Sequence, residues 1–404
     1  MTPDPVNTGN TAFVLLSAAL VMIMTPGLGL FYGGLVGKRN ALTILMQSLF
    51  SLGWVTLLWV LFGFSLAFGP DVHGIIGSPK YFFLMHITEQ TIMGAFHGPL
   101  LAYCMFQLMF AVITPALITG AFANKMNFKG WVAFLTMWSF LVYFPVAHQL
   151  WGGGFFQQWG CEDFAGGIVV HATAGFSALA AALFFGMRKH VEEDAPHNVP
   201  MVALGTALLW FGWFGFNAGS ALRAGGDASV AFTNTQIAAA FAALTWVLLD
   251  IARGGKISTV GFCTGAIAGL ATVTPTAGYI PPQAAMVVGV AAALACYGAV
   301  LLKNKKKWDD VLDVWGVHGI GGYTGIILLG IFGCSAVLGS NGAFFGNPVF
   351  LGKEFVAVTS ISAYSFVITY AILKFLDKVI GIRVSEEEQA KGLDQFELGE
   401  TAYK

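Results

Sequence analysis

Long apolar runs separated by short polar stretches occupy nearly the whole chain. An α-helix needs ~20 apolar residues to cross the ~30 Å hydrocarbon core of a bilayer. Eleven runs approach or exceed that length, at 11–36, 43–69, 95–123, 130–150, 163–187, 200–221, 231–251, 257–273, 282–302, 313–338 and 354–376. The pattern predicts an all-α membrane protein with eleven transmembrane helices. Its membrane domain covers 1–380. A polar tail follows over 381–404 and opens acidic, with Glu386, Glu387 and Glu388.

Charge orients these elements. With the N-terminus outside, the inner loops and the tail hold seventeen of the twenty Lys and Arg residues; only Lys80, Arg223 and Lys353 fall outside. Excess positive charge marks the cytoplasmic side, so the count predicts N-out and C-in, as an odd number of spans requires. Met1-Thr-Pro-Asp-Pro5 has no positive segment, which predicts a retained first helix rather than a cleaved signal peptide.

Composition agrees. Hydrophobic residues make up 56% and charged residues 10%, against about 25% charged in soluble proteins. The 51 glycines suit helices that approach closely in lipid. Net charge is −1 with no long basic run, which argues against a nucleic-acid partner. Cys104, Cys161, Cys263, Cys296 and Cys334 lack metal-ligand spacing and read as packing residues. No nucleophile–base set, phosphate loop or facing carboxylate pair suggests an enzyme, a cofactor or a metal.

The most informative residues are His171 and His318. They lie inside apolar runs, in Asp163-Phe-Ala-Gly-Gly-Ile-Val-Val-His171 and Asp313-Val-Trp-Gly-Val-His318. An ionisable side chain at bilayer depth is costly and marks a pathway or relay by default. The two runs are the fifth and tenth spans. Run 1 (Pro26-Gly-Leu-Gly-Leu-Phe-Tyr-Gly-Gly34) and run 6 (Gly212-Trp-Phe-Gly-Phe-Asn-Ala-Gly-Ser220) echo each other at the same five-span offset. An odd offset gives two halves of opposite topology, a 5+5 inverted repeat with an added eleventh helix.

Three of these strings, in order, resemble motifs of the ammonium transporter family (Amt, with Mep and Rh relatives), most nearly its prokaryotic Amt members. They are Asp163 to His171, Gly212 to Ser220, and Gly316-Val-His318-Gly. The resemblance runs from about residue 10 to residue 400. It implies a homotrimer in the cell membrane, with one pore through each subunit and ammonium or methylammonium as substrate.

The resemblance also implies roles. Phe110, Trp151 and Ser220 would form an outer cation site, Phe110 and Phe216 would gate the pore, and His171 and His318 would line it as a hydrogen-bonded pair. Each neutral imidazole has one donor and one acceptor, so a pair can fix complementary tautomers. Asp163 and Asp313 are expected to cap their helices, and Thr272 to add a pore-lining hydroxyl. His148 reads as structural; His73, His86, His97, His190 and His197 read as solvated loop residues. The tail, Gly392-Leu-Asp394 through Glu400-Thr-Ala-Tyr403, is expected to pack on the inner face and couple subunits. Leu398 stands where the family's tail carries histidine, which counts against a PII-type regulator there. Two other readings stay open: an ammonium sensor signalling through the tail or a fused domain, and a passive gas channel of the Rh type.

Overall fold

The structure is a computed structural model, and it describes residues 6–94, 96–188 and 196–403. Lys189, His190, Glu192, Glu193, Asp194 and Lys404 lie outside the described residues. Eleven apolar helices follow the predicted runs: α1 Thr8–Leu35, α2 Ala41–Phe68, α3 Leu100–Ala121, α4 Phe128–Gln158, α5 Gly167–Phe185, α6 Val199–Gly219, α7 Gly226–Ala252, α8 Thr259–Val273, α9 Pro282–Lys306, α10 Trp315–Phe332 and α11 Pro348–Ile380. Among the described residues, ten are long and apolar enough to cross a membrane, and the chain is a multi-pass membrane protein. The shorter one is α8, with 15 residues. At 1.5 Å per residue it reaches about 22 Å, so length alone does not qualify it.

Local chemistry sets the ends. Asn7, Asn127, Asn198, Ser258 and Asn347 each accept a backbone N–H in the first turn of the helix they precede. Several boundaries differ from the apolar pattern. The third run begins at 95, but α3 starts at Leu100, because Ile92–Met93 and Gly98–Pro99 pair as short antiparallel strands. The fifth run begins at Asp163, but α5 starts at Gly167, after a turn in which Gly166 has φ +120°.

Close helix approach builds the interior. α1 packs along α6, and α5 crosses α10. A Cβ on Gly205 would lie 2.3 Å from the Phe31 nitrogen, and one on Gly175 would lie 2.1 Å from Gly319 Cα. Only glycine permits these two contacts. The second crossing sits beside His318.

The tail is docked. The Asp394 carboxylate accepts the Leu42 and Thr43 backbone N–H groups (3.0 and 2.7 Å) and the Thr43 hydroxyl (2.8 Å). A carboxylate therefore satisfies the first turn of α2. His197 is not a solvated loop residue. Its Nδ1 lies 2.7 Å from the Val36 carbonyl and its Nε2 lies 2.9 Å from the Tyr403 hydroxyl, tying the chain end to the start of α6. His148 is buried between the Ala67 carbonyl (2.9 Å) and the Asp71 carboxylate (2.8 Å), which fits a structural reading.

Candidate functional site

A column of rings runs through the interior. The Trp151 and Phe110 centroids are 5.8 Å apart, Phe110 and Phe216 4.3 Å, Phe216 and His171 6.0 Å, and His171 and His318 5.3 Å. Above Trp151 opens a polar vestibule lined by Tyr103, Gln107, Trp151, Glu162, Asp163 and Ser220. The Ser220 hydroxyl donates to the Phe216 carbonyl (2.9 Å), which leaves its lone pairs available to an arriving N–H donor. Phe110 and Phe216 are both buried and lie against each other, tilted by 35°, beneath the vestibule.

Below them lies an apolar passage whose walls include Met24, Ile113, His171, Trp213, Ile267 and His318. These residues come from α1, α3, α5, α6, α8 and α10, so the short α8 contributes a wall. The two histidine Nδ1 atoms are 3.2 Å apart. One nitrogen must carry the shared proton, which leaves the other as acceptor. His171 Nε2 is buried with no protein partner and faces the apolar walls. His318 also lines a second cavity, with Tyr32 and Asp313, on the far side of the passage. Both histidines sit in π-helical turns, Gly167–Ala172 and Trp315–Gly319. Such turns insert an extra residue and re-aim side chains.

Asp163 lies under the vestibule, 4% exposed. Its carboxylate accepts four backbone N–H groups, from Gly166, Gly167, Ile168 and Val169, at 2.7–3.0 Å. Its carbonyl accepts the Trp151 indole N–H at 2.7 Å. One residue thus starts α5 and holds the aromatic ring at the mouth.

Asp313 does not do the same for α10. Its backbone is left-handed (φ +58°), and its carboxylate pairs with Lys303 at 2.5 Å. The cap is Asp310, which accepts the Trp315 N–H at 2.7 Å and is wholly buried. Asp310 precedes His318 by eight residues, as Asp163 precedes His171, and that spacing was the overlooked signal. Burial is the main force raising the Asp310 pKa from 3.8 to about 6; Lys303 opposes it and Asp313 adds to it. A raised carboxyl pKa costs stability as pH climbs from 3.8 through 6, because the folded state must give up a proton it holds tightly. Asp310→Asn keeps an acceptor for Trp315 without that charge. Its melting temperature relative to the native chain should therefore improve from about pH 4 to about pH 7. A constant difference across that range would refute this account of Asp310.

Thr272 does not line the passage. It is fully buried, with Gly321 packed against its hydroxyl, and it belongs to neither cavity wall. α8 turns a different face, carrying Ile267, toward the apolar walls around the histidines. Trp213 is a further wall residue missed from sequence. Its ring stacks on His171 at 5.4 Å and its indole N–H donates to Thr274 (2.9 Å). Its position three residues before Phe216, one helical turn away, is the only sequence sign of this.

A multi-pass protein with a ring-lined passage is the class defined so far, and comparison with known proteins narrows it. The profile of the Ammonium Transporter Family matches residues 12–403. "Ammonium transporter 1" of Dictyostelium discoideum is 45% identical over 410 aligned positions, covering 99% of this chain and 88% of that protein. "Ammonium transporter Amt1" of Archaeoglobus fulgidus is 42% identical over 397 positions, covering 98% of this chain and 99% of the other. Among solved structures, Candida albicans Mep2 superposes with a TM-score of 0.89 at 35% identity, covering 95% of this chain and 87% of that one. A "Sensor Amt Protein" superposes with a TM-score of 0.89 at 28% identity, covering 96% and 98%. The chain belongs to the ammonium transporter family.

Proposed function

We propose that the chain takes up ammonium across the cell membrane as a homotrimer, with eleven spans, the N-terminus outside and the tail in the cytoplasm. Ammonium arrives in the vestibule and rests against Trp151, Phe110 and Ser220. It loses a proton there and passes as ammonia beneath Phe110 and Phe216, along His171 and His318. The proton crosses separately, handed along the histidine pair, and rejoins ammonia on the inner side, so net transport carries one positive charge and is electrogenic. Methylammonium is a second substrate.

The continuous column from Trp151 to His318, between a polar vestibule and a second cavity, carries this reading. A bare ion in hydrocarbon costs on the order of 20 kcal/mol by Born reasoning. Apolar walls therefore admit ammonia and exclude potassium, which has no proton to lose. At the mouth, each aromatic face contributes roughly 0.5–2 kcal/mol to a desolvated cation, enough to hold it without trapping it. Trp151→Leu or Ser220→Leu should raise the half-saturation concentration for methylammonium by about three- to thirtyfold. An unchanged value in both variants would count against the mouth site.

A second reading is an ammonium sensor. Its supports are the likeness to a protein described as a sensor and the tail bonded at Asp394 and Tyr403. In that reading, occupancy of the same mouth is reported through the docked tail. A PII-type regulator at this face has less support, because Leu398 occupies the position of the family's tail histidine.

A further inference from the structure

α11 contributes no residue to the passage walls, yet near its start it carries a fully buried carboxylate, Glu354. Burying such a group in an apolar helix is costly enough to need a reason. Glu354 Oε1 accepts the backbone N–H of Glu162 at 2.7 Å, and Oε2 is buried with no hydrogen-bond partner. The neighbouring contacts grip the same short segment. Lys353 Nζ donates to the Trp159 carbonyl (2.7 Å), and the Cys161 thiol lies 3.7 Å from the Lys353 carbonyl. The Glu162 carboxylate accepts the Ser340 N–H and hydroxyl. The segment from Trp159 to Asp163 is thus a strap, held from outside by α11 and the loop that leads into it. Its last residue holds the Trp151 indole and starts α5.

We propose that Glu354 is a positioning residue for the mouth: by fixing the Glu162 backbone it sets where Asp163 holds Trp151. The inference rests on the reading of Trp151 as part of the cation site. It gives α11 a functional task, as the buttress of a site it never touches. Alanine at 354 would leave a buried N–H unpaired and free the strap to shift, whereas glutamine keeps an acceptor oxygen at the same reach.

The test is methylammonium uptake by the full chain, normalised to transporter recovered as a monodisperse particle, in Glu354→Ala, Glu354→Gln and Trp151→Leu. Glu354→Ala is expected to raise half-saturation about fivefold, with the maximal rate within about twofold, and Glu354→Gln to restore the native value. If the alanine variant does not accumulate, Ser340→Ala loosens the same strap at its other hold, removing the hydroxyl donor to Glu162 while the Ser340 N–H stays, and should shift half-saturation in the same direction by a smaller factor. A native half-saturation in Glu354→Ala, or in Ser340→Ala where that stands in, would overturn the inference if Trp151→Leu is raised. So would a loss confined to maximal rate. An unchanged Trp151→Leu would overturn the mouth reading and this inference with it.

Discussion

Replacing His171 or His318 with alanine should cut the ammonium-evoked current by at least about a hundredfold, the lower end of what positioned proton-transfer groups contribute. The pair is bonded Nδ1 to Nδ1 at 3.2 Å inside an apolar passage, and His318 also faces the second cavity. Removing either ring breaks the imidazole contact that links passage and cavity and leaves its partner's nitrogen unpaired. The cavity so created can admit water, and the exclusion of potassium should weaken with it. The measurement is current on reconstituted membranes with each cation in turn. Native current and native selectivity in both variants would refute the relay.

The second large effect concerns Asp163. A hydrogen bond to a charged group is worth about 1.5–3 kcal/mol, so four of them come to about 6 kcal/mol even at the low end. That is comparable to the whole ~5–15 kcal/mol stability of a typical domain. Asp163→Ala should therefore lose nearly all transport and lower the melting temperature sharply, because α5 loses its start and Trp151 its anchor. Asp163→Asn keeps one acceptor oxygen for up to two of the four N–H groups and should fall between. Alanine and asparagine variants of equal, near-native melting temperature would contradict the four-bond cap.

Much of this was legible in the sequence because membrane burial leaves a coarse mark. Ten long apolar helices stand where the apolar runs predict them, since span length is set by the bilayer rather than by tertiary detail. The family was readable from three strings, and the profile match bears that out. Helix starts were less legible. The apolar pattern put Asp163 and Asp313 at helix starts, but hydropathy says nothing about which carboxylate reaches the N–H groups. In the second half that carboxylate is Asp310, and a left-handed turn takes Asp313 to Lys303 instead. The face of α8 was hidden too: its few threonines form no polar stripe that orients the helix, so nothing in the sequence turned Thr272 away from the passage. Glu354 was invisible as a clamp because its partner is a backbone N–H nearly two hundred residues away.

A cation is attracted at the mouth and crosses as ammonia and a separate proton, never as the intact ion. Solid-supported-membrane current from reconstituted protein tests it most directly, with matched jumps of ammonium and potassium. A saturable inward current is expected with ammonium and none with potassium. Equal currents from the two ions, or ammonium uptake with no current at all, would contradict it.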